Sequence, residues 1–372
     1  MRKDTPGIMK KNKVAIFIAL LALMLTGAAG CGSKDEETTT TEEITSEEDV
    51  TTEVTTEEEI VHEGVYNDLT GEWVTDRDEE YGRPIAVMIN NISEALPQCD
   101  IGKADIIYEM MVEGGITRLL AIYNDYSDLE LLGSIRSCRP YYVTVAMEYD
   151  AIYMHYGQSP QGEEKLASSD IDNLSGLDAE GNVTYYRYSE RVSPHNVFTN
   201  TEMILAGIEY CEYETEHSDS FESVFQFHEE ITSLDEDTSD AETANKITTP
   251  VSSYTTPWFE YNEEDGLYYR FEYGEAQIDG NTGEQLAFEN VIIQFAHYTS
   301  IDDHDRQELD QVGEGTGYYA TNGKIIPITW KKATESSVTK YYYSDGTEIS
   351  LNPGKTWITV MESDNASEVT WE

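Results

Sequence analysis

The stretch from Asp105 to Pro160 constrains the fold of this chain most. Two apolar runs of strand length flank the Gly114-Gly115 pair, and a third apolar run ends at His155. Between them, Pro140 opens a segment of helical length, and proline is favoured in the first turn of a helix. Short apolar runs bounded by turn residues are typical of buried strands. The order strand, helix, strand therefore predicts a βαβ unit with a parallel component.

The flanking sequence extends this pattern through the N-terminal part. Ser137 is predicted to cap the first helix, and Thr199 with Glu202 forms a capping box for the last. The predicted strands cover 83–91, 106–112, 116–123, 129–135 and 151–155, and the predicted helices cover 140–149, 160–166 and a segment that ends near 211.

From Ile247 onward, aromatic and β-branched runs alternate with turn signals. Such a pattern predicts hairpins. The fold class predicted from the sequence is therefore α/β or α+β: an N-terminal mixed α/β domain with βαβ units, followed by a β-rich C-terminal domain. The predicted ranges are 65–228 and 247–372, joined by an acidic linker at 229–246. The turn signals are Asp265-Gly266, Asp279-Gly280, Asn322-Gly323 and Asp345-Gly346.

The first 64 residues have the composition of an export signal and a tether. A basic start and an apolar run from Val14 to Thr26 predict a signal peptide over 1–30, too short to span a bilayer. Small residues before Cys31 resemble the bacterial lipobox, in which the cysteine is lipidated, although Ala28 stands where leucine is more usual. The alternative is an ordinary signal peptide or a short anchor helix. Residues 31–64, rich in Thr and Glu, predict a disordered acidic tether.

The charge of the chain limits its partners. It carries 73 acidic and 23 basic residues, a formal net charge of −50. Nucleic-acid binding requires neutralisation of phosphates, so this composition argues against it. An anionic lipid surface would repel the same charge. We therefore expect membrane attachment through a lipid on Cys31, with the protein on the extracytoplasmic side of the cell membrane.

Cysteine and histidine spacing indicates no metal site and no cofactor. With Cys31 lipidated, an odd number of cysteines remains (Cys99, Cys138 and Cys211), so at least one thiol is free, and the sequence leaves open whether any pair forms. Neither CxxC nor HExxH spacing occurs. The acids and histidines at 297–305 are interpreted as a solvated turn rather than a metal site.

Seven long motifs follow one another along the chain: RPIAVMINN, ADIIYEMMVEGGITRLLAIY, GSIRSCRP, MHYGQSP, SPHNVFT, TNGKIIPITWKK and ISLNPGKTWITV. Together they resemble a family of bacterial YerB-like lipoproteins with paired N- and C-terminal domains of unknown function. The resemblance covers about Arg83 to Val360 and implies a lipid-anchored, extracytoplasmic, two-domain protein, but little about chemistry. Cys138 stands where the family pattern usually has alanine, which argues against a catalytic thiol.

Three arginines are the first candidates for a site. Arg118, Arg136 and Arg139 lie close in the sequence, and the last two precede a predicted helix whose free N–H groups favour anions. They predict a cradle for an anionic ligand. The alternative is that they pair with glutamates of the same stretch: Glu109, Glu113 and Glu148.

Carboxylates and histidines are the second candidates. On one strand, Glu109 and Glu113 would lie roughly 13 Å apart, too far for a catalytic pair unless the backbone bends at the glycines. His155 is predicted at a strand end, where ligands of α/β sheets bind. The alternative is that these groups are structural. The remaining candidates for the same region are Ser159, His195 and Asn196.

We therefore predict a lipid-anchored extracytoplasmic binding or interaction protein, with a small anionic molecule, an envelope polymer or a protein as its partner. Whether it is an enzyme stays open. The alternative is a hydrolase of a cell-envelope polymer that uses Glu109, Glu113, His155 and His195.

Overall fold

The computed structural model describes residues 62–372. The signal peptide, Cys31 and the tether up to residue 61 lie outside this range, so they stay predictions. The described chain begins its first strand at Val65. In the described part of the chain, no helix is both long and apolar enough to cross a bilayer.

The N-terminal part alternates short strands with helices. Its strands are Val65–Asn67 (β1), Glu72–Val74 (β2), Ile85–Asn90 (β3), Ile106–Met111 (β4), Thr117–Tyr123 (β5), Leu132–Gly133 (β6), Ile152–His155 (β7), Asn173–Ser175 (β8), Tyr186–Arg187 (β9), Val197–Thr199 (β10), Gln226–Phe227 (β11) and Glu242–Thr243 (β12). The α-helices are Pro140–Glu148 (α1), Pro160–Ser168 (α2), Gly181–Thr184 (α3), Thr201–Cys211 (α4) and Leu234–Asp237 (α5).

The C-terminal part is built of strands, as its alternating pattern predicts. They are Lys246–Thr248 (β13), Trp258–Asn262 (β14), Leu267–Glu272 (β15), Glu275–Ala276 (β16), Ala287–Phe288 (β17), Asn290–Ala296 (β18), Tyr298–Ser300 (β19), Gln307–Leu309 (β20), Gly313–Thr321 (β21), Lys324–Lys332 (β22), Lys340–Tyr342 (β23), Ser350–Leu351 (β24), Thr356–Glu362 (β25) and Thr370–Trp371 (β26). Short 3-10 turns cover Ser93–Ala95, Ile101–Lys103, Glu113–Gly115 and Ser363–Glu368.

One large sheet draws strands from both parts of the chain. Its order is β12-β22-β21-β18-β25-β4-β5-β3-β7-β8, with β23 also paired to β22. The parts meet where β25 pairs in parallel with β4, Thr356 opposite Ile106. Strand β7 lies between β3 and β8 and is parallel to both, and α2 connects β7 to β8. The sheet thus continues across the predicted boundary, and the division into domains at 229–246 stays a prediction.

The large sheet is buried on both faces, which explains its continuous apolar strands. In β3, Ala86 and Met88 belong to the hydrophobic cluster that contains α1, whereas Ile85, Val87 and Ile89 belong to the cluster that contains α4. A second sheet, β16-β15-β14-β13-β26 with β17 on β15, contributes to the α4 cluster. Mixed α/β architecture is therefore confirmed.

Three local predictions need correction. Ser137 does not cap α1: the N-cap is Arg139, and the Ser137 hydroxyl donates to the Tyr156 carbonyl oxygen. Helix α4 starts one residue later than the capping box indicates, because Asn200 is the N-cap and accepts from the Met203 N–H. Strand β6 covers only part of the predicted strand 129–135.

The predicted linker 229–246 contains regular secondary structure. It contains α5 and β12, and β12 pairs with β22. Leu234 is buried, and the Asp235 carboxylate lies 2.9 Å from Lys324 Nζ. One buried leucine and one ion pair therefore attach this acidic segment to the sheet.

Candidate functional site

The Gly114-Gly115 turn positions the first charged groups. Both glycines have φ of 72°, a left-handed conformation that strongly favours glycine. The turn reverses the chain between β4 and β5, and Gly114 N donates to the Asp305 carboxylate at 3.1 Å. Glu113 therefore lies in a turn that the hydrogen bond to Asp305 stabilises, and Arg118 follows as the second residue of β5.

Two buried arginines surround the Glu113 carboxylate. Arg139 Nε donates to Glu113 Oε2 at 2.9 Å, its Nη2 donates to Oε1, and Arg118 Nη2 lies 3.6 Å from Oε1. Carbonyl oxygens hold both guanidinium groups, Ser137 O for Arg118 at 2.7 Å and Cys138 O for Arg139 at 2.6 Å. These contacts lower the pKa of Glu113 to about 2, against the opposing effect of its burial.

A third arginine in the same group has spare hydrogen-bonding capacity. Arg136 Nη1 donates to Pro194 O at 3.4 Å, a long contact, and Arg136 Nε is buried without an acceptor among the described residues. Burial and then the charge of Arg139 lower its pKa. A buried donor without a partner costs free energy, so Arg136 favours an added acceptor.

The group carries a net positive charge in an acidic protein. It contains three arginines, Arg118, Arg136 and Arg139, and the single carboxylate of Glu113, and burial together with the charge of Arg139 lowers the pKa of Arg118 to about 10. We call these four residues the arginine cluster. After burial, the charge of Arg139 is the next cause of the lowered pKa values of Arg118 and Arg136, whereas contact with Glu113 raises the pKa of Arg139 against the effect of its burial. An added anion near Arg118 and Arg136 would offset the repulsion by Arg139.

His195 and Asn196 lie at the edge of the arginine cluster. Asn90 Nδ2 donates to His195 Nδ1 at 2.8 Å, which leaves the proton of the neutral ring on Nε2. Partial burial and then the charge of Arg136 lower the pKa of His195. Asn196 Oδ1 accepts from Arg187 Nη1 at 2.9 Å, and Arg187 stacks on the Tyr156 ring. Sequence reasoning missed Arg187, although it is one of few cations in the chain.

His155 and Ser159 form hydrogen bonds that stabilise the local backbone. The buried His155 ring donates from Nδ1 to Gly157 O at 2.9 Å, and its Nε2 lies 3.1 Å from the Asn173 amide oxygen. The Ser159 hydroxyl accepts from the Gly162 N–H and caps α2. Both side chains therefore have structural partners, and neither contacts an arginine of the cluster.

Comparison with known proteins identifies the family. Residues 69–214 match the family described as "Protein of unknown function (DUF3048) N-terminal domain", and residues 247–358 match its C-terminal counterpart. The two matches cover more than half of the chain. The chain belongs to the DUF3048 family of YerB-like proteins.

Relatives of this DUF3048 protein support the same assignment. The chain is 31% identical over 307 residues to "Putative lipoprotein YerB" of Bacillus subtilis (strain 168), which covers 81% of this chain and 86% of the relative. The crystal structure of the YerB protein from Bacillus subtilis matches with a TM-score of 0.69 and 29% identity, over 82% of this chain and 99% of that one. The two-domain architecture of this DUF3048 protein matches that structure.

In this DUF3048 protein, Glu109 lies in a different environment from Glu113. Its carboxylate is fully buried, with Oε2 2.8 Å from Arg270 Nη2 and Oε1 accepting from Thr117. Arg270 also lies 3.5 Å from the buried Glu272 carboxylate, whose pKa is raised by burial. Sequence reasoning missed Arg270, although the alternation of β15 places it on the same face as the buried Tyr268.

The four residues of the hydrolase alternative therefore form no coupled acid–base pair. Glu109 is bound by Arg270, Glu113 is bound by Arg139, and His155 has partners at both ring nitrogens. The described cysteines are unpaired, and burial raises the pKa of Cys138 to about 12, which keeps its thiol protonated. In the 297–305 segment, Asp302 pairs with Arg306 at 2.6 Å.

Proposed function

We propose that this YerB-like protein is a lipid-anchored, extracytoplasmic binding protein that takes an anionic group at the arginine cluster. The lipobox-like sequence before Cys31 supports the anchor, and the relative from Bacillus subtilis carries the name of a lipoprotein. The predicted tether at 31–64 would hold the described part of the chain away from the membrane.

The observation that carries the proposal is the imbalance of the arginine cluster. Arg118 and Arg139 share the Glu113 carboxylate, and Arg136 has no carboxylate partner and no acceptor for its Nε within the described residues. A carboxylate, phosphate or sulfate oxygen would supply the acceptor and offset the mutual repulsion. Guanidinium groups bind such anions well because their donors form a planar fork.

The proposal is tested by two substitutions with opposite expected effects. With inorganic phosphate as the probe, Arg136→Ala should weaken binding by about 1.5–3 kcal/mol, the range for a hydrogen bond to a charged group. Glu113→Gln should strengthen it, because it removes the internal anion that competes for the same arginines. Isothermal titration calorimetry at low ionic strength measures both.

A matched control separates binding from folding. Arg77→Ala removes an arginine that pairs with Asp125 at 3.2 Å, outside the arginine cluster, and should leave phosphate binding unchanged. If Arg136→Ala instead lowers thermal stability without phosphate and leaves the affinity unaltered, Arg136 is a structural ion-pair partner and the proposal fails.

A further inference from the structure

A cavity of about 520 Å³ lies at the other end of α1 from the arginine cluster. The C-terminal ends of α1 and α2 form one side of it, and loops at 218–222 and 336–338 form the other. Its walls therefore come from both parts of the chain. The volume falls within the range of small-molecule sites, which is about 300–1,000 Å³.

The charges of the cavity exclude an anionic ligand. Its lining contains the carboxylates of Glu148, Asp150, Asp170 and Glu222 and the single cation Arg83. Lys332 neutralises Glu148 at 2.8 Å, but no described residue makes an ion pair with Asp170 or Glu222. An anion here would face net repulsion, in contrast to the arginine cluster.

The cavity lining offers both a free hydrogen-bond donor and free acceptors. Arg83 is only 7% exposed, and its Nε and Nη1 donate to Asp150 O at 2.7 Å and to Asp172 Oδ2 at 2.6 Å. In residues 62–372 its Nη2 has no acceptor, so a donor remains at the cavity wall. The carboxylates of Asp170 and Glu222 accept no hydrogen bond within the same residues. A ligand must therefore both accept and donate.

Hydroxyl groups and an aromatic ring complete the lining. Phe221 stacks on His217 with ring centres 3.8 Å apart, which fixes the orientation of its ring. Met147, Ile171 and Val338 add apolar surface. Six serines from three segments add hydroxyl groups to the lining: Ser168, Ser169, Ser218, Ser220, Ser336 and Ser337.

These features select one ligand chemistry. An amine would satisfy the carboxylates but face the charge of Arg83, and an apolar ligand would leave the polar groups unpaired. A sugar hydroxyl donates to a carboxylate and accepts from a guanidinium, while the C–H face of a sugar ring packs on an aromatic ring. We propose that this cavity binds a neutral carbohydrate of about disaccharide size.

Saturation-transfer NMR on the full chain, in a detergent without a sugar headgroup, tests the proposal. The probes are maltose, cellobiose and N,N′-diacetylchitobiose. At least one should receive saturation from the protein, and the Asp170→Ala/Glu222→Ala double variant should bind that sugar at least tenfold more weakly. Glu163→Ala/Glu164→Ala is the matched control, because it makes the same charge change at exposed positions of α2 outside the cavity and should not alter binding.

Three results would overturn the proposal: no transfer to any of the three sugars, undiminished binding in the Asp170→Ala/Glu222→Ala variant, or equally tight binding of the anionic digalacturonate. Arg136→Ala should leave sugar binding unaltered, because the arginine cluster lies at the opposite end of α1. The result of this experiment is therefore independent of the phosphate titration.

Discussion

Replacement of Arg270 with methionine tests what holds the two parts of the chain together. The guanidinium lies 2.8 Å from the Glu109 carboxylate of the central sheet and 3.5 Å from that of Glu272, and all three side chains are buried. Without it, two carboxyl groups remain in the interior with no cation. Loss of one partner of a buried ion pair costs about 3–5 kcal/mol, so we expect Arg270→Met to lower the free energy of unfolding by that amount.

Equilibrium urea unfolding measures this loss. The Arg270 guanidinium stacks 3.9 Å from the Trp357 ring, so tryptophan fluorescence follows the region directly. Arg306→Met is the matched control: it breaks a pair with Asp302 near the surface and should cost less than about 1 kcal/mol.

The pH dependence of the free energy of unfolding provides a second test of Arg270→Met. Burial raises the pKa of Glu272, so its carboxyl group in the folded state is protonated more readily as the pH falls. The destabilisation by Arg270→Met should therefore be smaller at pH 5 than at pH 8. A loss no larger than that of Arg306→Met at pH 8 would refute the reasoning, because it would mean that the buried carboxyl groups do not depend on Arg270.

Three further predictions concern the anchor, a buried acid and the predicted linker. Cys31→Ala should release the protein into the medium or leave an unprocessed precursor, and unchanged membrane retention on fractionation would contradict this. Burial raises the pKa of Asp105 from 3.8 to about 6, so its contribution to stability is full below pH 3.8 and is lost as the pH rises to about 6. This decline in the free energy of unfolding is on the order of 3 kcal/mol, and Asp105→Asn should abolish it. Urea unfolding at several pH values across that window measures the effect, and the same decline in the variant would contradict the prediction. Proteolysis within 235–242 should give two fragments that co-elute in gel filtration, because β25 pairs with β4; separate elution would show that the shared sheet does not hold them.

Local signals in the sequence predicted most individual elements. The apolar run 83–91 contains β3, Pro140 starts α1, and α2, which Ser159 caps, starts at Pro160 as predicted. Each of these signals acts within a few residues, through burial of a strand or satisfaction of a free helix N–H. The N-cap of α1 differed because the Ser137 hydroxyl bonds to Tyr156, a contact 19 residues away.

The grouping of the charged residues in the arginine cluster was predictable in part for the same reason. Arg118, Arg136, Arg139 and Glu113 come together because a glycine turn and a helix start, both visible in the sequence, place them. The burial of Glu109 was not predictable, because its partner Arg270 lies 161 positions later and no local pattern links the two.

The insertion of β25 between β4 and β18 also determines when the central sheet can be completed. Thr356 pairs with Ile106, roughly 250 positions earlier, so this contact is of very high contact order and is expected to form slowly. Until β25 is in place, β4 and β18 each present an unpaired inner edge, a known route to aggregation. A chain that stops before Thr356 would lose the strand that joins its two parts rather than a peripheral one.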